Sequence, residues 1–195
     1  LLGPTLELYE WDGANRRTRA ENREGATTIA VSQFFYNTLG AVDKEIQQVG
    51  TTAAKTILCT WDGAGNRTGC TYPAGRAITH LLDAGDRVTQ IKQGAHVLAS
   101  FQYAGRREAK RTYLNGLAKE VTFDAVRRTT QIRHVGGGYE KAKFQYAYDK
   151  VGNPKYEHRV HHAKADVYRY DGIYEVDGVK FGVPSADVDP TKPWA

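Results

Sequence analysis

The chain's two cysteines, Cys59 and Cys70, flank a turn that runs from Trp61 to Thr68. If that loop centres near Ala64-Gly65, the two residues lie opposite one another across a hairpin. A disulfide is feasible there at a non-hydrogen-bonded pair, where paired strands approach most closely. An even cysteine count favours the bond if the chain is exported; the alternative is two unpaired thiols packed on opposite faces. Within the same turn, Gly63-Ala64-Gly65-Asn66-Arg67-Thr68-Gly69 has the glycine spacing of a dinucleotide loop. That chemistry requires a helix N-terminus behind the glycines to meet the phosphates. Cys70-Thr71-Tyr72-Pro73 cannot start one, so the segment reads as a plain turn.

Glu157-His158-Arg159-Val160-His161-His162 is the densest histidine patch. On a strand, His158 and His162 share a face and His161 points away. Two imidazoles are too few for a closed metal site, so a solvated edge or turn is expected. The Asp-Gly turns from Asp12 to Asn15 and from Asp62 to Asn66 gather oxygens that could hold Ca²⁺ loosely. Hydrogen bonding of the Asp side chains to their own backbone explains them without an ion. Ser32, Ser100 and Ser185 lie in no Gly-x-Ser-x-Gly context, and no Cys–His pair or metalloprotease helix is present. No catalytic residue, metal ligand or cofactor is assigned, and the chain is expected not to be an enzyme.

Charge and composition narrow the partners. With 27 Lys+Arg against 22 Asp+Glu, the net charge over 195 residues is +5. Arg16, Arg17, Arg19 and Arg23, then Arg106, Arg107, Lys110 and Arg111, then Arg127, Arg128 and Arg133 fall at comparable points along the chain. Interleaved with aromatics, they could line a nucleic-acid surface. The excess is small, however, and interspersed acids suit a solvated sheet face, so no nucleic-acid partner is expected. Anionic wall polymers or surface glycans fit an exported protein better. No run approaches the ~18 apolar residues of a membrane-spanning helix, so no membrane insertion is expected. A chain without Met that opens Leu1-Leu2-Gly3-Pro4 reads as a processed product or a piece of something longer.

The elements that position these residues recur. Trp11-Asp12-Gly13-Ala14-Asn15-Arg16 returns as Trp61-Asp62-Gly63-Ala64-Gly65-Asn66-Arg67-Thr68 and as Tyr148-Asp149-Lys150-Val151-Gly152-Asn153. Leu82-Asp83-Ala84-Gly85-Asp86-Arg87 is echoed by Phe123-Asp124-Ala125-Val126-Arg127-Arg128. Tyr36-Asn37-Thr38-Leu39-Gly40, Tyr103-Ala104-Gly105 and Tyr170-Asp171-Gly172 are weaker copies. The anchors at 11, 36, 61, 82, 103, 123, 148 and 170 are 20 to 25 residues apart. A fixed period of this size marks a repeat architecture.

Each copy has the chemistry of a β-hairpin. Aromatics two apart precede the anchor (Tyr9/Trp11, Phe34/Tyr36, Phe101/Tyr103, Tyr146/Tyr148, Tyr168/Tyr170), which places them on one face of a strand. Asp then starts a turn by accepting a backbone N–H two residues on. Gly65, Asn66, Gly152 and Asn153 follow where the chain must reverse. Asn115-Gly116, between copies, is the strongest short hairpin signal in the chain. No segment carries a sustained helical period.

These copies resemble the YD repeats of the RHS (rearrangement hotspot) family, with units of roughly Tyr-Asp-x-x-Gly-Arg/Asn-Arg/Leu-Thr. The resemblance runs from about Tyr9 to Val176. It implies antiparallel hairpins laid side by side in one continuous twisted or curled sheet, a segment of a shell, spiral or tube. The family includes bacterial wall-associated proteins, toxin-complex shell subunits, polymorphic toxins and teneurins, and some of its shells enclose a toxic C-terminal domain. The family's closing segment, with its self-cleaving aspartates, is not recognisable here, and about eight units are too few to close a shell.

The expected organisation is all-β: a repeat array over 1–181 and a Pro-rich extended tail over 182–195. Ring-on-ring stacking of Tyr, Phe and Trp across strands is expected to stabilise it. The expected function is structural and extracellular or at the cell surface: a wall, shell or tubular fibre, its edges pairing with copies of itself or with adjacent repeats of a longer chain. A fragment of a toxin-encapsulating cocoon and a glycan-binding adhesin are the alternatives.

Overall fold

A computed structural model describes residues 5–189 and Pro193. It is all-β, with sixteen strands that follow one another in sequence order through one sheet that does not close on itself. By contacts the chain divides into two units, Leu1–Leu98 and Ala99–Ala195. The first carries β1 (Thr5–Trp11), β2 (Arg17–Glu24), β3 (Thr27–Tyr36), β4 (Val42–Val49), β5 (Lys55–Trp61), β6 (Arg67–Thr71), β7 (Ala77–Leu82) and β8 (Val88–Gln93). β9 (His96–Ala104) leads into the second, which continues with β10 (Arg107–Tyr113), β11 (Ala118–Phe123), β12 (Thr129–Gly136) and β13 (Tyr139–Tyr148). It ends with β14 (Pro154–Arg159), β15 (Lys164–Tyr170) and β16 (Val176–Pro184).

One loop builds most of the hairpins. In the first copy the Asp12 N–H donates to the Arg16 carbonyl at 2.9 Å, and the Asn15 N–H returns to the Asp12 carbonyl at 3.0 Å. Asp12 Oδ1 accepts the N–H groups of Ala14 and Arg16, both at 2.9 Å. The fourth residue, Asn15, takes the left-handed conformation with φ of 60°. The same pattern repeats at Asp62, Asp83, Asp124 and Asp171, and with Asn37 in place of Asp; at Asp149 it differs in that the Gly152 N–H goes to Asp149 Oδ1 at 2.7 Å. A three-residue loop with a left-handed last residue enters its return strand through a bulge. Accordingly, register shifts fall at Glu10/Trp11, Phe35/Tyr36, Thr60/Trp61, Leu81/Leu82, Thr122/Phe123, Ala147/Tyr148 and Arg169/Tyr170. The residue left unpaired is Thr18, Thr68, Thr89 or Thr130 in four of them. In these copies the Thr two residues after Arg16, Asn66, Arg87 or Arg128 is therefore the bulge residue.

Asn115-Gly116 uses the same loop rather than a two-residue turn. Thr112 pairs with Ala118, Gly116 carries φ of +78°, and Asn115 Oδ1 accepts the Leu117 N–H at 3.1 Å. The copy at Tyr103 lacks Asp and closes with two residues between Ala104 and Arg107, Gly105 taking φ of +60°.

Among the described residues the buried apolar side chains are Cys70, Ala99, Ala118, Tyr156, Ala165 and Val167. Three of these cluster in the second unit, where Ala147, Val183 and Val188 pack against Tyr156, Ala165 and Val167. The tail therefore differs from the extended coil expected from 182. β16 runs on to Pro184, Val183 pairs with Ala165, and a 3₁₀ turn spans Ser185–Asp187. Gly182 supplies the bulge, with φ of +64°, that lets the strand continue past Asp166. Tail residues 190–192, 194 and 195 lie outside the described residues.

Candidate interaction surface

The anchors position one another. Tyr36 donates its hydroxyl to the Arg17 carbonyl at 2.7 Å, and the Trp61 indole N–H reaches the Val42 carbonyl at 3.1 Å. Tyr148 bonds the Thr129 carbonyl at 2.8 Å and Tyr170 the Pro154 carbonyl at 2.9 Å. Next to the Leu82 anchor, which has no polar atom, His80 Nδ1 lies 3.1 Å from the Arg67 carbonyl. In all five, the acceptor is the sixth residue after the preceding anchor. An aromatic with a polar tip is the side chain that can both cover a neighbouring hairpin and meet its backbone. Burial pushes the Tyr148 and Tyr170 hydroxyls above the usual phenol range, in the direction of the protonated, donating form.

Cations interleave the rings, which corrects the expectation of aromatic ladders. Arg16 lies 4.6 Å over Tyr36, Arg128 4.7 Å over Tyr148 and Arg107 5.5 Å over Phe123, each reaching the anchor of the following copy. Arg17 sits between Tyr9 and Phe34, at 5.7 and 5.0 Å. Arg107 and Arg128 also donate to the backbone carbonyls of Arg127 and Asp149, in the next turn along. Among the described residues the ring–ring contacts are Phe144–His161, Tyr156–His158 and His161–His162, none between two anchors. The physical reason is register. Anchors of successive copies are separated by a return strand, and a guanidinium from the turn before that strand (Arg16, Arg128) or from its first residue (Arg107) fills the gap with both area and charge.

The turn aspartates carry these arginines. Asp12 binds Arg16, Asp83 binds Arg87 and Asp124 binds Arg128, each through the guanidinium. The Arg87 guanidinium and the backbone N–H groups of the loop hold the Asp83 carboxyl at about 2. Asp62 has Asn66 as its partner, and the Asn66 amide reaches on to Asp86 Oδ1 at 2.9 Å. These groups bind one turn to the next.

Cys59 and Cys70 are directly paired across β5 and β6 and joined by a disulfide, their Cα atoms 4.0 Å apart. The histidines do not share a strand. β14 ends at Arg159, and a 3₁₀ turn carries Val160–His162, so His161 folds back with Nδ1 3.2 Å from the Lys143 N–H. His158 stays on β14, and its buried Nε2 has no hydrogen-bond partner. Burial and the nearby Lys143 ammonium lower its pKa. Among the described residues no three His, Cys, Asp or Glu side chains lie close enough to hold a metal ion, and no helix is long and apolar enough to cross a membrane.

Two buried acids escaped the reading of the sequence. Glu21 on β2 is 5% exposed and takes Arg23, Thr28 and Arg19, which hold its carboxyl at about 2 against the cost of burial. Asp166 on β15 is 7% exposed; its oxygens take both guanidinium nitrogens of Arg159, at 2.9 and 2.6 Å, and the Gly182 N–H at 2.8 Å. An acid flanked by Ala165 and Val167, with a glycine on the following strand, was the available signal.

At either end of the strand order, β1 and β16 have a described neighbour on one side. All seven residues of β1 are exposed, and Trp11, at 58%, is the most open residue of the apolar set on that strand. On β16, Phe181 is 76% exposed.

No family model matches the chain, and no curated protein matches it. Solved structures do. A Photorhabdus luminescens Tc holotoxin pore carrying a TccC3 mutation aligns with a TM-score of 0.62 and 14% identity, over 90% of this chain and 12% of that one. A crystal structure of TcdB2-TccC3 aligns at 0.61 and 13% identity, over 88% and 12%. The TcdB2-TccC3-Cdc42 structure aligns equally well, with the same identity and coverage. The fold is that of these toxin-complex chains. The chain spans about 12% of their length.

Proposed function

We propose that this chain is a non-catalytic structural segment of the RHS type, working outside the cell as part of a wall, shell or tubular fibre. One observation carries the reading: each hairpin takes its stabilising contacts from the next, and β1 and β16 leave that series open with exposed apolar side chains. Exposed strand edges of this kind are templates for further pairing and are normally blunted or covered. Repeat arrays derive stability from neighbours and need terminal caps. β1, with Leu6, Leu8, Tyr9 and Trp11 exposed among Glu7 and Glu10, has no cap's polar outer face. The disulfide supports an oxidising compartment.

The likeness to toxin-complex chains favours a second reading, a portion of a larger cocoon around a toxic cargo. Sedimentation velocity and negative-stain imaging over a concentration series test the first. Growing, extended species support edge-to-edge assembly, and compact monomers at high concentration overturn it.

A further inference from the structure

Five of the contacts between consecutive copies share one register, and that register identifies the partner of the exposed β1 edge. In these five the eighth residue after one anchor faces the third residue before the next; after Tyr103, whose loop is one residue shorter, the seventh residue, Lys110, faces Glu120 instead. Arg19 pairs with Gln33, Lys44 with Leu58, Gly69 with Thr79, Gln131 with Gln145, and Tyr156 with Val167. Beside each such ladder, a polar atom at or near the later anchor meets the carbonyl of the sixth residue after the earlier one. Trp11 is an anchor of the same residue type as Trp61 and lacks that contact: no earlier strand is described before β1, and its ring is 58% exposed.

At the far end, the sixth residue after Tyr170 is Val176, the counterpart of Val42, which accepts the Trp61 indole. The eighth is Gly178, on the outer strand β16. We propose that two copies of this chain join head to tail, β16 of one against β1 of the next, antiparallel. Gly178 then faces Leu8, Val179 faces Glu7 and Lys180 faces Leu6, and the Trp11 indole N–H donates to the Val176 carbonyl. This rests on the edge-to-edge reading above and specifies its partner and register.

The faces agree. Val179 pairs with Tyr168 on the face of the aromatic anchors, and Glu7 alternates with Tyr9 and Trp11 on that same face. A slip of one residue would turn each anchor to the opposite face. Ladder alternation also fixes the spacing. Cys59 and Cys70, 4.0 Å apart at Cα, form a close, non-hydrogen-bonded pair. Cys70 then pairs with Ile78 on the other side through hydrogen bonds, and Gly69–Thr79 is again a close pair. Gly178 and Leu8 occupy the positions of Gly69 and Thr79.

The test mixes Leu8→Cys with Gly178→Cys, each in the full chain, under mild oxidation. A disulfide-linked dimer that reduction dissolves is expected, with loss of that band when Leu6→Cys or Glu10→Cys replaces Leu8→Cys. A bond at Leu6 or Glu10 instead would overturn the register and leave assembly standing. Monomers by sedimentation with no cross-link in any mixture would overturn both. Trp11→Phe provides an independent check that adds no thiol. It should weaken concentration-dependent association about fivefold, the loss of one hydrogen bond, and unchanged association would count against the indole contact.

Discussion

The Tyr148 hydroxyl lies 2.8 Å from the Thr129 carbonyl, nineteen residues earlier, while Arg128 covers the same ring from 4.7 Å. One side chain thus binds the backbone of the preceding hairpin and seats its turn arginine. Tyr148→Phe removes only the hydrogen bond and should cost about 0.5–1.5 kcal/mol in denaturant unfolding. Tyr148→Ala also removes the ring that Arg128 covers and should cost clearly more. Equal costs for the two would place the contribution elsewhere.

The disulfide closes a short segment, with the cysteines 11 apart in sequence. Chain-entropy reasoning gives a contribution of about 2–3 kcal/mol for a loop of this size. Thiol titration of denatured, unreduced protein should find no free thiol. The Cys59→Ser, Cys70→Ser double variant should unfold at lower denaturant while remaining folded in buffer. Two reactive thiols in untreated protein would refute the pairing.

The period-2 aromatics and the Asp-led turns made the all-β hairpin architecture legible, because both are local: alternation defines a strand face, and a carboxylate captures the N–H two residues on. What pairs across strands was not local. Nothing in the turn sequences alone says that Thr68 or Thr130 stands unpaired in a bulge. Nor does the aromatic spacing reveal that guanidinium groups come between the rings. The tail misled for a similar reason. Its prolines suggest coil, but Pro184 falls at the end of the outer strand, where a missing N–H is tolerated, and Val183 and Val188 find Tyr156 only in three dimensions.

Acid should loosen the turns before it unfolds any core. Asp83 and Glu21 are held at about 2 by Arg87 and Arg23 respectively, below the ordinary carboxylate range. A depressed folded value means that their contribution is complete above the unfolded value of about 4 and is lost as pH falls from there toward 2. Calorimetric melting points should therefore drop steeply over that interval. Asp83→Asn should melt lower than the parent at neutral pH and show a shallower acid dependence. Parallel curves would mean that the Asp83–Arg87 pair contributes nothing.

A second pH dependence should lie nearer neutrality and belong to the cluster beneath the tail. His158, facing Gln145 and Ala165 across its strand neighbours, borders a cleft of about 290 Å³ lined also by Tyr156, Ser185 and Val188. Burial and then Lys143 lower its pKa, so the folded chain prefers the neutral imidazole. The sign is opposite to that of a histidine gaining a partner. The stabilisation is full above the unfolded value of about 6.5 and disappears as pH falls through it toward the folded value. Hydrogen exchange at Ala165–Val167 should accordingly speed up between pH 7 and pH 5 once corrected for intrinsic rates. His158→Leu keeps an apolar body at the site and removes the charge, so its protection should hold across that range. If parent and variant lose protection together, the dependence does not arise from the buried His158 imidazole.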